Sequence, residues 1–198
     1  TSTVPAAGST ADAAGAPDGD GDPTTLTVAM ECAYAPYNWT QSDDSNGAVA
    51  IRGSSDYAYG YDVMMAKKIA EALGQQVQIV KLDWDSLIPA VMSGDVDCVI
   101  AGQSITAERA AQVDFSNPYY YASIVTLTKK DSTYANAASV ADLAGATATS
   151  QLGTIWYDTC LPQIENANIL PAQETAPAML AATMTSRSAR RTSTSASR

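Results

Sequence analysis

Three features of the chain predict an α/β fold built on a doubly wound, mostly parallel sheet. They are apolar runs of strand length, amphipathic stretches of helix length between them, and glycines where each helix should stop. The first run, Leu26-Thr27-Val28-Ala29-Met30, reads as a buried strand. Asp62 can cap a helix reaching Leu73, in which Met65, Ile69 and Leu73 recur at every fourth position, with Gly74 as the stop. Val77-Gln78-Ile79-Val80 reads as the second strand. Asp85 can cap the next helix, whose apolar face is Leu87, Ile88, Val91 and Met92. Pro89 lies near enough to its start to be tolerated, and Gly94 ends it. Val96-Asp97-Cys98-Val99-Ile100 is the third strand.

A second unit follows Pro118. Tyr119 to Leu127 is long, apolar and β-prone, suited to cross to another lobe. Beyond it come a short helix over 140–143 stopped by Gly145, a strand over 146–150, and a helix over 155–160 opened by Gly153-Thr154. A strand over 168–170 and a helix over 174–182 complete this second layer.

Composition narrows the function classes. The chain has 198 residues, 46% of them hydrophobic, which is enough for a packed core. Its net charge of −10 repels phosphate backbones and anionic lipid headgroups, so no nucleic-acid partner is expected. Histidine is absent, which removes the commonest general base and the commonest zinc ligand. Three cysteines (Cys32, Cys98 and Cys160) match no metal spacing, so neither metal nor cofactor is expected. Cys98 lies in an apolar run and reads as a buried thiol. No apolar run reaches the roughly 18 residues of a membrane span. No signal-peptide pattern opens the sequence; a leader, had there been one, is already gone.

Two tails differ from the middle. Residues 1–23 are Ala, Gly, Ser, Thr, Pro and Asp with Val4 as the only large aliphatic side chain, a composition expected to be a disordered spacer. Such a spacer often separates a secreted domain from a lipid anchor or cell wall; a ragged terminus without a role fits as well. Residues 183–198 hold thirteen Ser, Thr or Arg in sixteen positions, four of the eleven basic residues, and none of the twenty-one acids. So abrupt a change suggests a foreign segment, read out of frame or truncating the fold, with a basic tail as the plain alternative.

The chemistry-bearing residues sit after the strands, where ligands bind in such sheets. These loops are 31–37, 83–85 and 101–109. Thr106 can cap a helix that puts Arg109 in its first turn, against the positive end of the helix dipole. That placement suits a guanidinium and nearby N–H groups holding an anion, since the planar fork pairs bidentately with a carboxylate. An ion pair with Glu108 or Asp114 is the plain alternative. Trp84, between two Asp residues, can stack on a ligand or cover the core. Glu31 and Tyr34 can bind a polar or cationic group; Glu31 can equally be a solvated loop acid.

Five blocks occur in order: Gly60-Tyr61-Asp62-Val63, Asp85-Ser86-Leu87-Ile88-Pro89, Gly94-Asp95-Val96-Asp97, Ser104-Ile105-Thr106 with Arg109, and Asp114-Phe115-Ser116-Asn117-Pro118-Tyr119. Over about residues 25–182 the chain resembles the amino-acid-binding branch of the bacterial extracellular solute-binding proteins, family 3. The resemblance implies a type II periplasmic-binding-protein-like fold of two α/β lobes that close on the ligand. The first lobe would be nearly complete (24–117), with the hinge and an incomplete second lobe over 118–182. It also implies an extracytoplasmic monomer that binds a free amino acid and delivers it to an ABC transporter permease.

By the same resemblance Arg109 grips the ligand's α-carboxylate with the Ser104 N–H, while the Ser104 hydroxyl and the Gly102 carbonyl, next to Ala101, take the α-ammonium. Trp84 and Tyr34 flank the ligand side chain and Glu31 reads it, which favours a polar or cationic amino acid. Gln151, Gly153 and Thr154 meet the carboxylate from the second lobe. Two departures stand out. Ile155 replaces a common hydroxyl residue, and the tail at 183–198 stands where the family carries a further strand, an acid for the ammonium and a return crossing. Weak or absent ligand binding and poor closure are the expected consequence. The competing classes are a dehydratase-type enzyme, with Glu31 as its only plausible acid or base, and a ligand-sensing module on the same fold.

Overall fold

The computed structural model describes residues 23–175, 177–179 and 181. The tail expected over 183–198, and all but Pro23 of the spacer expected over 1–23, lie outside the described residues.

The chain opens with strand β1 (Thr25–Met30), then β2 (Ala33–Tyr34), β3 (Asn38–Gln41), β4 (Val49–Ala50) and β5 (Tyr57–Tyr59). Helix α1 (Tyr61–Leu73) leads to β6 (Gln76–Lys81), and helix α2 (Leu87–Ser93) to β7 (Cys98–Val99). Beyond the short helix α3 (Ala107–Ala110) come β8 (Thr147–Ala148) and β9 (Asn168–Ile169).

The expected parallel sheet forms with β1 in the centre, in the order β6-β1-β7. Thr25 pairs with Gln76 and Met30 with Lys81, while Val28 and Ala29 pair with Cys98 and Val99. The central strand is buried on both faces, which explains its unbroken apolar run: Val28, Ala29 and Met30 have no exposed surface. The third strand is shorter than the expected 96–100. Its ends still join the ladder, Asp97 N–H donating to the Thr27 carbonyl (3.0 Å) and Ile100 N–H to that of Ala29 (3.2 Å). Because β7 is an edge strand, Cys98 is only half-buried; Cys32 is the cysteine the core encloses. All three thiols are free. An antiparallel sheet in the order β2-β3-β5-β4 packs beside the first.

Both predicted glycine stops are present: Gly74 and Gly94 take left-handed φ values of 72° and 79°, and each N–H closes the last turn of its helix. The helix starts differ from expectation. Asp62 does not cap α1; Gly60 does, and Asp62 lies inside the first turn, fully buried. Gly60 is obligatory, because a side chain there would collide with the backbone of Tyr37. The buried stripe of α1 is Val63, Ala66 and Ala70, and the expected stripe is displaced from it: Ile69 and Leu73 are 40% and 61% exposed. Small residues let α1 lie close to the sheet, whereas the bulkier stripe would hold it off. Asp85 likewise sits in a single turn (Trp84–Ser86) ahead of α2, whose buried residues are Leu87 and Ala90, while Met92 faces solvent.

The smaller unit pairs β8 with β9 in parallel, Thr147 opposite Asn168, over a core of Leu143, Ala146 and Ile164. Its expected elements are present in shortened form: a turn at Ala141–Leu143, a wide helical turn at Trp156–Cys160, and helical residues at 177–179 and 181. Residues 119–127, β-prone in composition and suited to a crossing, form no strand: Tyr121, Val125 and Leu127 are 83%, 74% and 66% exposed, and no described strand pairs with them.

The two helix stripes are separable by experiment. Leu87→Ala should cost about 2–5 kcal/mol, whereas Leu73→Ala should stay within about 0.5 kcal/mol. Urea unfolding midpoints measure both, and equal losses would mean that α1 buries its other face.

Candidate functional site

With β1 parallel to both neighbours, the loops after β1, β6 and β7 leave the sheet on one edge. They bring Glu31, Tyr34, Trp84, Gly102, Ser104 and Arg109 to one wall of a narrow cleft. The loop after β8 supplies the opposite wall: Gln151, Thr154, Ile155 and Trp156. Of the residues selected from the sequence, two lie off the cleft wall: Gly153, which meets Trp84 through its carbonyl, and Ala101. Ala101 is packed in the core, because the chain leaving β7 turns that side chain inward.

Arg109 lies in α3, whose cap is the predicted one: the Thr106 hydroxyl accepts from Arg109 N–H at 3.2 Å. The guanidinium donates to two carbonyls, those of Ser104 (2.9 Å) and Gly153 (2.9 Å). Its hydrogen bonds therefore go to neutral acceptors rather than to Glu108 or Asp114. Burial lowers its pKa and the charges of Glu108 and Asp158 oppose that, so the cation persists at any ordinary pH. The guanidinium carbon sits 5.6 Å from the centre of the Trp84 ring, within cation–π range. Trp84 is held in turn by its indole N–H, which also donates to the Gly153 carbonyl (3.0 Å). One carbonyl of the smaller unit thus receives two donors from the larger one.

Glu31 is not a solvated loop acid. It is 5% exposed, and its carboxylate accepts from Gln151 Nε2 at 2.8 Å. Gln151 spends its second amide proton on the Glu174 carbonyl (2.9 Å), and the Thr154 hydroxyl ties the loop by donating to the Gln151 carbonyl (2.7 Å). Burial raises the Glu31 pKa above its usual 4.5; the Gln151 bond pulls the other way. The neighbouring Cys32 thiol is pushed by burial up to about 12, so it is no nucleophile at neutral pH.

Aromatic faces complete the cleft. Tyr34 stacks on Tyr37 with centroids 5.0 Å apart and meets Trp156 of the smaller unit at 6.0 Å. Sequence reasoning missed Trp156, although Ile155 before it was already placed where the family carries a hydroxyl contact. The signal was present, since both follow directly on the Gln151–Thr154 loop, but an aromatic inside an expected helix reads as core. Gly102 takes φ 63°, and its N–H donates to the Tyr119 hydroxyl at 3.1 Å.

Two α/β units facing each other across a cleft, each lending polar groups to it, make up the two-lobed architecture of the type II periplasmic-binding-protein fold. The chain belongs to the bacterial extracellular solute-binding proteins, family 3, whose sequence profile matches residues 26–192. It is 35% identical over 130 residues to the arginine-binding extracellular protein ArtP of Bacillus subtilis, covering 66% of this chain and 45% of that one. A probable histidine-binding protein of Campylobacter jejuni is 31% identical over 160 residues, 80% of this chain and 56% of that one. The chain therefore spans about half the length of these curated relatives. It superposes on the arginine-bound form of truncated ArgBP from T. maritima with a TM-score of 0.68 at 29% identity, covering 83% of this chain and 70% of that one.

A raised carboxyl pKa means that the folded chain favours the neutral acid. The stability tied to Glu31 is full below its ordinary 4.5 and lost as pH climbs through the raised value. Glu31→Gln keeps an acceptor for Gln151 and removes that loss. Its gain in melting temperature over the parent should be larger near neutral pH than below pH 4.5; equal gains at both would show that burial does not strain this acid.

Proposed function

We propose that the chain binds a free amino acid with a polar or cationic side chain outside the cytoplasm, as a monomer, and delivers it to the permease of an ABC importer. One observation carries the reading: the Arg109 guanidinium stands in the cleft with its fork on two neutral carbonyls. A ligand carboxylate competes well for that fork, because charge-assisted hydrogen bonds are roughly twice as strong as neutral ones. The Ser104 N–H supports the carboxylate, and the Ser104 hydroxyl and Gly102 carbonyl receive the α-ammonium.

The side-chain end is served by a buried acid between aromatic faces: Glu31 with Tyr34 and Trp156. An aromatic face and a carboxylate both favour a cation, which supports a guanidinium, ammonium or imidazolium side chain. Gln151, Gly153 and Thr154 close the site from the other lobe, by the hinged closure usual for such receptors. The relatives named for arginine and histidine binding support the same ligand class. A dehydratase-type reading keeps the cleft and rests on the raised pKa of Glu31, which would act as general acid or base. Turnover lost in Glu31→Gln with binding retained would favour it.

A thermal-shift screen of the twenty amino acids at millimolar concentration tests the proposal. Ligand at about 100 times its Kd adds about 2.7 kcal/mol of stability, several degrees of melting temperature in a chain of this size. Arginine, lysine or histidine should produce the shift and Arg109→Ala should remove it. No shift with any amino acid would overturn the proposal.

A further inference from the structure

We infer that Asp62 and Tyr119 form a tether that positions Gly102, and with it the seat for the ligand's α-ammonium; the inference rests on the amino-acid-binding reading above. Neither residue lines the cleft, so both are positioning residues.

Asp62 has no exposed surface, yet it carries a carboxylate. Its two oxygens are spent on different parts of the fold. One accepts from Asn38 Nδ2 at 2.7 Å, the other from the Tyr119 hydroxyl at 3.2 Å. The Tyr119 oxygen then accepts the Gly102 N–H at 3.1 Å. The phenol proton points to Asp62, which leaves a phenol lone pair for the Gly102 N–H. The acid polarises the hydroxyl and makes it a stronger acceptor than a free phenol. On the other side, the Asn38 side-chain carbonyl accepts the Cys32 N–H at 2.8 Å. One buried acid therefore holds the residue after Glu31 and, through one phenol, the residue that faces the ammonium.

Gly102 needs such a hold. Its φ of 63° lies in the left-handed region, and it has no side chain of its own to pack. With its nitrogen anchored, only one residue's dihedrals separate that anchor from its carbonyl. A purely structural core position would be served as well or better by an apolar side chain, because burying a charge is costly unless its bonds are used. Tyr119 also begins the connection to the smaller unit, where its ring stacks on Tyr61 at 6.2 Å. The tether thus links the ammonium seat to the crossing between lobes.

Tyr119→Phe keeps the ring and removes the hydroxyl; Asp62→Asn serves as the second variant. Two measurements apply. In the protein without added ligand, amide hydrogen exchange at Gly102 should accelerate about fivefold in Tyr119→Phe while Cys32 is unchanged, and both amides should accelerate in Asp62→Asn. An unchanged Gly102 rate in Tyr119→Phe overturns the tether. Dissociation constants for L-arginine and for des-amino arginine, which lacks the α-ammonium but keeps carboxylate and guanidinium, then separate positioning from general destabilisation. Tyr119→Phe should weaken L-arginine about fivefold and leave the des-amino compound unchanged. Equal losses for both compounds, or none for either, overturn the inference. If the parent binds no amino acid at all, the binding reading falls, and the tether stands or falls on the exchange rates alone.

Discussion

Parallel pairing of β1 with both of its neighbours is the constraint from which the site follows. In an antiparallel arrangement successive loops alternate between the two edges of a sheet. Here the loops bearing Glu31, Trp84 and Arg109 must all emerge together. The cost is a central strand buried on both faces, met chiefly by Val28, Ala29 and Met30. The charged side chains of the cleft are thereby displaced to the strand ends, where they share one crevice with a second unit.

The electrostatics of that crevice are asymmetric. At one end a guanidinium faces carbonyl oxygens and an indole; at the other a buried carboxylate faces a carboxamide and tyrosine rings. An isolated charge in such surroundings would be costly, and each is supported by dipoles rather than by a full counter-charge. A zwitterion with a cationic tail complements this arrangement, because its carboxylate and its side chain carry the signs the two ends lack.

Much of the fold was legible because its signals are local. The apolar run at 26–30, the left-handed glycines at 74 and 94, and the Thr106 cap each depend on a few neighbouring residues. Failures arose where the deciding partner is distant. Asp62 resembles a helix cap in sequence, but Asn38 and Tyr119, at 24 and 57 positions' remove, draw its carboxylate inward. A period of four found a stripe on α1, yet the sheet selected the smaller residues beside it. Residues 119–127 have strand composition, and composition does not supply a neighbour to pair with. The site was legible in part: Arg109 and Glu31 were placed by their strand ends, while the Glu31–Gln151 contact spans 120 positions that no periodicity connects.

Gly153 sets the clearance between the two lobes. Its α-carbon lies against the Asp85 carboxylate and the Trp84 ring, at a left-handed φ of 65°. A β-carbon there would displace the Asp85 carboxylate and press on the Trp84 ring. The left-handed φ disfavours any other residue, and a side chain there would push the Asp85 carboxylate aside, next to the oxygen on which both Trp84 and Arg109 converge. The approach of the two units at this point is thus a matter of backbone, an absent methyl group beside Trp84, rather than of any side chain.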